Sequence, residues 1–256
     1  INKDDITADD LYDESTPYDG STIYNMYKNA VIDQSIKTTK DLKKQASTLE
    51  SNIKSNASSQ SDDYESTLTT ELAKYGYASY EELNDYCLTS VKEKEMNKKY
   101  ITKHFDEVKK AWEEKNPRTV SIIKMDVSDA DNLTETEAKK KSNIDKALEK
   151  ESFADVAKAF SEDSNTANKN GFAGYVDSNS TSSDSSSTST VPADVVTAAI
   201  GLKKGETSDW ITVTSSSGTS LYKVYVKETN SKKIFNAKSD TVSNQALYAI
   251  LNSDSS

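Results

Sequence analysis

The sequence predicts an α+β protein in which an all-helical module is interrupted by a smaller unit of mixed helix and strand. Up to about residue 116, apolar residues recur at helical intervals and Pro17 is the only proline before Pro117. After Pro117, runs of β-branched residues indicate strands. A final apolar stretch, 234–251, has the helical period again, so the mixed unit lies between two helical parts.

Composition excludes several classes of function. The 256 residues carry a formal net charge of −10, which argues against nucleic acid as a partner because phosphates require a basic surface. The single cysteine, Cys87, excludes an internal disulfide bond and is expected to be a small buried residue. The sequence contains no phosphate-binding glycine motif, no HExxH and no Cys/His cluster, so we expect no cofactor and no metal.

The N-terminal module, residues 1–116, is predicted to be a set of packed helices. Thr7 to Asp10 and Ser79 to Glu82 have the spacing of capping boxes. The second box begins a long helix that runs toward Trp112. Two apolar stripes are expected to pack between helices, one formed by Ile23, Met26, Tyr27, Ala30 and Val31 and the other by Leu42, Ala46, Leu49 and Ile53.

The middle unit, residues 117–230, is predicted to contain a four-stranded antiparallel sheet with helices around it. The expected strands are 119–127, 171–176, 210–213 and 221–226, and the expected helices are 134–150, 152–160 and 193–200. Residues 178–190 are too polar to bury and are predicted to be a mobile loop. The third part, residues 231–256, is expected to return and pack on the N-terminal helices.

Four segments of the middle unit carry the signatures of one known family. Residues 153–163 read FADVAKAFSED, 170–176 read NGFAGYV, 195–208 end in LKKGETS, and 217–224 read SGTSLYKV. In this order and spacing they resemble the parvulin family of prolyl isomerases. The flanking helices resemble, more weakly, the N-terminal module of extracytoplasmic foldases of the PrsA and SurA type.

The resemblance implies which residues stand at the family's functional positions. Its two histidine positions are Ser121 and Ser220 here, and its Cys or Asp position is Asp163. The only histidine, His104, precedes the unit. The proline groove would be lined by Val191, Val195 and Ile200. Asp163 has an alternative interpretation as a cap or turn residue.

The expected function is therefore that of an extracytoplasmic foldase or chaperone for exported polypeptides, with weak or no isomerase activity. The alternatives are an active parvulin-type isomerase and a non-catalytic cell-surface binding or adhesin protein. The partners implied by the resemblance are unfolded or partly folded exported polypeptides and, as an option, a second copy bound through the helical module. Because the sequence has no membrane-spanning run, membrane attachment is expected only through a lipid anchor upstream of residue 1, as in a Gram-positive lipoprotein.

Overall fold

The computed structural model describes residues 19–181 and 191–253. The predicted α+β class and the four-stranded antiparallel sheet are confirmed. The chain divides into two compact units between Lys103 and His104. The predicted cap at Thr7 to Asp10 lies outside the described residues. Among the helices of the described ranges, none combines the length and the apolar character that a membrane span requires.

Several helices of the helical unit, up to Lys103, begin at capping residues. Its described helices are α1 (Gly20–Ser35), α2 (Lys40–Ser58), α3 (Tyr64–Ala73) and α4 (Leu83–Lys103). The Asp19 carboxylate accepts a hydrogen bond from the Thr22 backbone N–H at 2.7 Å, which satisfies a free donor at the start of α1. The predicted capping box at Ser79 to Glu82 is confirmed, and it begins a short 3₁₀ turn that leads into α4.

The core of the helical unit lies between α2, α3 and α4. The stripe predicted on α2 is confirmed, because Leu42 and Ala46 are buried and Leu49 and Ile53 pack against them. The other buried members of this cluster are Ile36, Leu72, Leu83, Cys87 and Val91. Regular helical spacing was therefore sufficient to identify the α2 members of this core.

The predicted packing stripe of α1 is wrong for most of its members, because the stripe largely faces outward, although Met26 packs against Gly76. Tyr27 is 70% exposed, and Ile23, Met26 and Val31 are each close to 40% exposed. The helix instead turns a largely polar face inward. That face contains the buried Thr22 and Ile32, as well as Asn25 and Asn29, whose side-chain amides donate to the backbone oxygens of Lys74 and Tyr75 at 3.0 and 2.9 Å.

The second unit, from His104 onward, contains the sheet. Its strands are β1 (Arg118–Val127), β2 (Phe172–Val176), β3 (Ile211–Ser215) and β4 (Gly218–Glu228), in the order β2-β1-β4-β3 with every pair antiparallel. Its helices are α5 (Phe105–Glu114), α6 (Glu135–Leu148), α7 (Phe153–Phe160), α8 (Ala193–Gly201), α9 (Ser231–Phe235) and α10 (Asp240–Ser253).

Alternation of side chains along the central strands gives the sheet two buried faces. The α8 face carries Ile122 and Val224 and packs against Val195 of α8. The α7 face carries Ile123 and Met125 and packs against α6 and α7. Both faces of the central strands are thus covered by helices, which explains why β1 reads as a nearly continuous apolar run.

The C-terminal helices pack on α5 and on the sheet, within the unit that begins at His104. The rings of Phe105 and Phe235 are 5.4 Å apart, and Ser231 donates to the Glu113 carboxylate. The sequence places a boundary at residue 117, but these contacts group α5 with the sheet because its aromatic side chains are buried there. The predicted loop 178–190 begins with a 3₁₀ turn at Ser178–Thr181, and its remainder lies outside the described residues.

Candidate functional site

A polar cluster lies on the α8 face of the sheet, beyond the part that α8 covers. Lys124 and Asp126 alternate with apolar residues in β1, and Asp126 is the direct cross-strand partner of Ser220 in β4. The Lys124 ammonium is 2.8 Å from the Asp126 carboxylate, and the Ser220 hydroxyl donates to the same carboxylate at 2.7 Å. Tyr222, opposite Lys124, connects this cluster to the apolar core of the α8 face.

The segment after α7 runs along the outer edge of β1 and places Asp163 beside this cluster. Glu162 N–H donates to the Lys124 carbonyl at 2.9 Å, and the Glu162 carboxylate accepts from Asp126 N–H at 2.7 Å. The Asp163 carboxylate itself accepts from the Thr166 hydroxyl at 2.6 Å and from Asn165 N–H at 3.2 Å. Those bonds are the ones made by a turn residue, which matches the alternative interpretation of Asp163.

The electrostatics of the cluster keep Lys124 and Asp126 ionised. Burial raises the pKa of Asp126, but the hydrogen bonds from Lys124 and Ser220 outweigh burial and hold the pKa below its usual value. The hydrogen bond to Asp126 raises the pKa of Lys124. Burial raises the pKa of Tyr222, so its hydroxyl stays protonated near neutral pH.

The fold does not place Ser121 close to Ser220. In the register of β1 and β4, Ser121 lies opposite Tyr225 whereas Ser220 lies opposite Asp126, five residues further along β1. That separation is about 17 Å along the strand, and an odd number of steps directs the two side chains to opposite faces of the sheet. Ser121, which is 6% exposed, lines a small cavity with Phe153 and Tyr225 on the α7 face.

The residues predicted to line a proline groove are mostly part of the core. Val195 is 0% exposed and Val191 is 4% exposed, and both pack in the core of the α8 face. Ile200 is half-buried against the same core. Neither valine therefore offers appreciable apolar surface to a ligand in this conformation.

The family comparison bears on this sheet unit. Residues 121–225 match the rotamase family, described as the PPIC-type PPIase domain. This segment is a PPIC-type domain. The match covers β1 through most of β4, which are the elements that form both faces of the sheet, and less than half of the chain.

The PPIC-type domain of this chain contains no histidine. His104 precedes α5, where its Nδ1 is 3.2 Å from the Glu107 carboxylate. The ammonium of Lys124 carries three donors, of which the Asp126 contact uses one, so the cluster can contact a carbonyl or carboxylate oxygen. The Ser220 proton is directed at Asp126. Within the described ranges, no group of three or more His, Cys, Asp or Glu residues is arranged to hold a metal ion.

Sequence reasoning missed Lys124, Asp126 and Tyr222. The available signal was the appearance of two charged residues, two positions apart, in a strand that is otherwise apolar. Alternation predicts that they share a face. Their association with Ser220 depends on the register between β1 and β4, which the sequence does not display.

The chain is also similar to several solved structures. The foldase protein PrsA from Streptococcus pneumoniae is 21% identical, with 100% of this chain and 86% of that chain covered and a TM-score of 0.40. PrsA from Bacillus subtilis is 19% identical, with 99% of this chain and 88% of that chain covered and a TM-score of 0.40. A structure from the study of the SurA-like chaperones PEB4 and Cj1289 of Campylobacter jejuni is 17% identical, with coverage of 99% and 93% and a TM-score of 0.30. No curated protein matches the chain.

Proposed function

We propose that this chain is an extracytoplasmic foldase that holds unfolded exported polypeptides and has little or no prolyl isomerase activity. The outward apolar stripe of α1 carries the proposal, because it presents Tyr24 and Tyr27, each at least 65% exposed, beside Ile23, Met26 and Val31. Tyrosine gives amphipathic contact with varied sequences at a low cost in side-chain entropy. Exposed contiguous apolar surface of this kind marks interaction sites.

The absence of histidine from the PPIC-type domain supports the second half of the proposal. Rotation about an X-Pro bond meets a barrier of about 20 kcal/mol, so a catalyst must stabilise the twisted amide in a dry pocket. Here the apolar candidates Val191 and Val195 are buried in the core, and the polar cluster on the same face of the sheet consists of an ion pair and a serine already bonded to it. This environment offers the amide no imidazole and little apolar surface.

An aggregation assay tests the holding function. The chain should suppress light scattering by a chemically denatured client, and the double variant Tyr24→Ser/Tyr27→Ser should lose most of that suppression. Tyr100→Ser/Tyr248→Ser removes two exposed tyrosines from other helices and is the matched control. Equal suppression by both double variants would remove α1 from the proposal.

A protease-coupled assay with a proline tetrapeptide tests the isomerase function. We expect no acceleration beyond the uncatalysed rate. The match to the PPIC-type family favours the second candidate, an active isomerase. A rate comparable to that of a parvulin with both histidines would establish that candidate and refute the first.

The proposed location is the outer side of the cytoplasmic membrane of a Gram-positive bacterium, with a lipid anchor upstream of residue 1. Metabolic labelling with a fatty-acid analogue, followed by cell fractionation, tests this part. The proposed homodimer through the helical module is tested by light scattering at increasing protein concentration. A monomer at every concentration would contradict the dimer and leave the holding function intact.

A further inference from the structure

The α7 face of the sheet carries an open groove. It is separate from the polar cluster, which lies on the opposite, α8 face. A cavity of about 670 Å³ and a smaller one of about 130 Å³ lie next to each other there, and both are lined by Phe153, Ala154 and Tyr225. We call the two together the β4 groove. Its floor includes Lys223, Tyr225 and Lys227, which alternate along β4 and therefore project from the same face over about 13 Å.

The middle of the β4 groove is apolar. The rings of Phe153 and Tyr225 stack with centroids 5.4 Å apart and an angle of 22° between their planes. Phe153 is the buried member of this pair, whereas Tyr225 and Phe172 are only half-buried and present ring surface to the groove. An apolar side chain bound here would bury aromatic surface that is now in contact with water.

The larger cavity has an acidic rim. Glu149 and Asp209 are exposed there, and within residues 19–181 and 191–253 neither side chain forms an ion pair or a hydrogen bond. Asp145, by contrast, is neutralised, because it is 3.2 Å from the Lys141 ammonium, 3.7 Å from Lys223, and accepts from the Trp210 indole. The larger cavity therefore has a negatively charged rim, formed by the carboxylates of Glu149 and Asp209.

The smaller cavity has a basic rim. Lys169 and Lys227 are both exposed there, and the Lys227 ammonium lies 5.1 Å from the centre of the Phe172 ring. The groove thus changes along its length from acidic, through aromatic, to basic.

We propose that the β4 groove binds an extended peptide of about five residues that carries a Lys or Arg at one end, an apolar side chain in the middle and an Asp or Glu at the other end. About 13 Å of floor matches the four steps between the first and last residues of a five-residue extended chain. The order of charges complements the two rims, and the apolar side chain fits over Tyr225 and Phe172. This proposal concerns a second peptide site and does not depend on the holding role of α1 or on isomerase activity.

Fluorescence anisotropy with a labelled, proline-free probe, Lys-Gly-Phe-Gly-Glu, tests the proposal on the whole chain at low salt. Binding should be saturable, and replacing the Phe of the probe by Ser should weaken it. The variant Glu149→Lys/Asp209→Lys should weaken binding by about fivefold or more, since each exposed charge pair contributes up to about 1 kcal/mol. Asp131→Lys/Glu135→Lys changes the net charge equally at exposed positions outside the groove and should have less than about a twofold effect.

A charge reversal at the other rim gives an independent readout that does not rely on the first variant folding. Lys227→Glu should weaken the probe with a terminal Glu and strengthen a probe in which that Glu is replaced by Lys. Lys158→Glu, on an exposed position of α7, is the control. Equal binding by the groove variants and their controls, or no preference for Phe over Ser, would overturn the proposal. Concentration-dependent dimerisation that the groove variants abolish would show that a second copy occupies the groove and would equally overturn it.

Discussion

The indole N–H of Trp112 donates to the hydroxyl of Tyr175 at 2.8 Å, and that hydroxyl donates to the Asp177 carboxylate at 2.6 Å. All three residues are buried, so the chain of hydrogen bonds joins α5 to the end of β2 inside the folded unit. Asp177 also accepts from the N–H groups of Asn179 and Ser180. One tyrosine hydroxyl therefore links a helix, a strand and the turn that follows it.

Tyr175→Phe should destabilise the sheet unit by about 1 to 3 kcal/mol, because it leaves the Trp112 donor unpaired and removes one donor from the buried Asp177. Urea unfolding followed by tryptophan fluorescence measures the change. Tyr248→Phe, on the exposed face of α10, is the matched control and should leave the midpoint unchanged. Equal midpoints for both variants would contradict a structural role for the Tyr175 hydroxyl.

Arg118, the only arginine of the chain, should not be replaceable by lysine. Its guanidinium is buried and donates to three carbonyls, those of Asn116, Ala199 and Leu202, so that it ties the start of β1 to the C-terminus of α8. A lysine lacks the planar fork that reaches all three acceptors. Arg118→Lys should cost about 2 kcal/mol in the free energy of unfolding.

Lys158→Arg exchanges the same two residue types at an exposed position and serves as the control for Arg118→Lys. Thermal unfolding of both variants is the measurement. If the two variants unfold at the same temperature, the carbonyl contacts of Arg118 contribute nothing measurable.

The buried Lys92 should depend on Asp33 for its stability. Lys92 is 2% exposed and forms an ion pair with Asp33, whose own side chain is 69% exposed. Asp33→Ala should destabilise the helical unit by about 1 to 3 kcal/mol because it leaves a buried ammonium without its acceptor. Lys92→Met/Asp33→Ala should recover most of that loss, since methionine fills the space without a charge. A double variant less stable than Asp33→Ala would contradict this account.

The free energy of unfolding should fall in acid partly because the carboxylate of Glu137 becomes protonated. Its carboxylate accepts from the backbone and hydroxyl groups of Ser128 and Thr134, and the backbone hydrogen bond from Ser128 contributes most to lowering its pKa from the usual 4.5 to about 2. A lowered pKa in the folded state stabilises the fold above pH 4.5, and this contribution is lost as the pH falls toward 2. The melting temperature of the wild-type chain should therefore fall more steeply between these pH values than that of Glu137→Gln.

Glu135→Gln, in the same helical turn but without these contacts in the described structure, should retain the wild-type pH dependence. If the melting temperatures of the wild-type chain and Glu137→Gln fell equally steeply with pH, Glu137 would not be a source of the acid sensitivity.

Much of the fold could be predicted because its signals are local. The capping box at Ser79 fixes a helix start through bonds between residues three positions apart, and it is readable as a short motif. The strands followed from runs of β-branched residues. The candidate site was less accessible, since the partners Asp126 and Ser220 are 94 positions apart in the chain.

Sequence patterns alone are sufficient to predict the α+β class, the position of most helices and strands, and the absence of histidine from the PPIC-type domain. Which surfaces are covered depends on contacts between distant segments, and these are seen only in the folded chain. Periodicity shows which residues of α1 share a face, but the hydrogen bonds of Asn25 and Asn29 to another segment turn the apolar face outward. In the same way, alternation gives each strand two faces, and only the pairing of β1 with β4 separates Ser121 from Ser220.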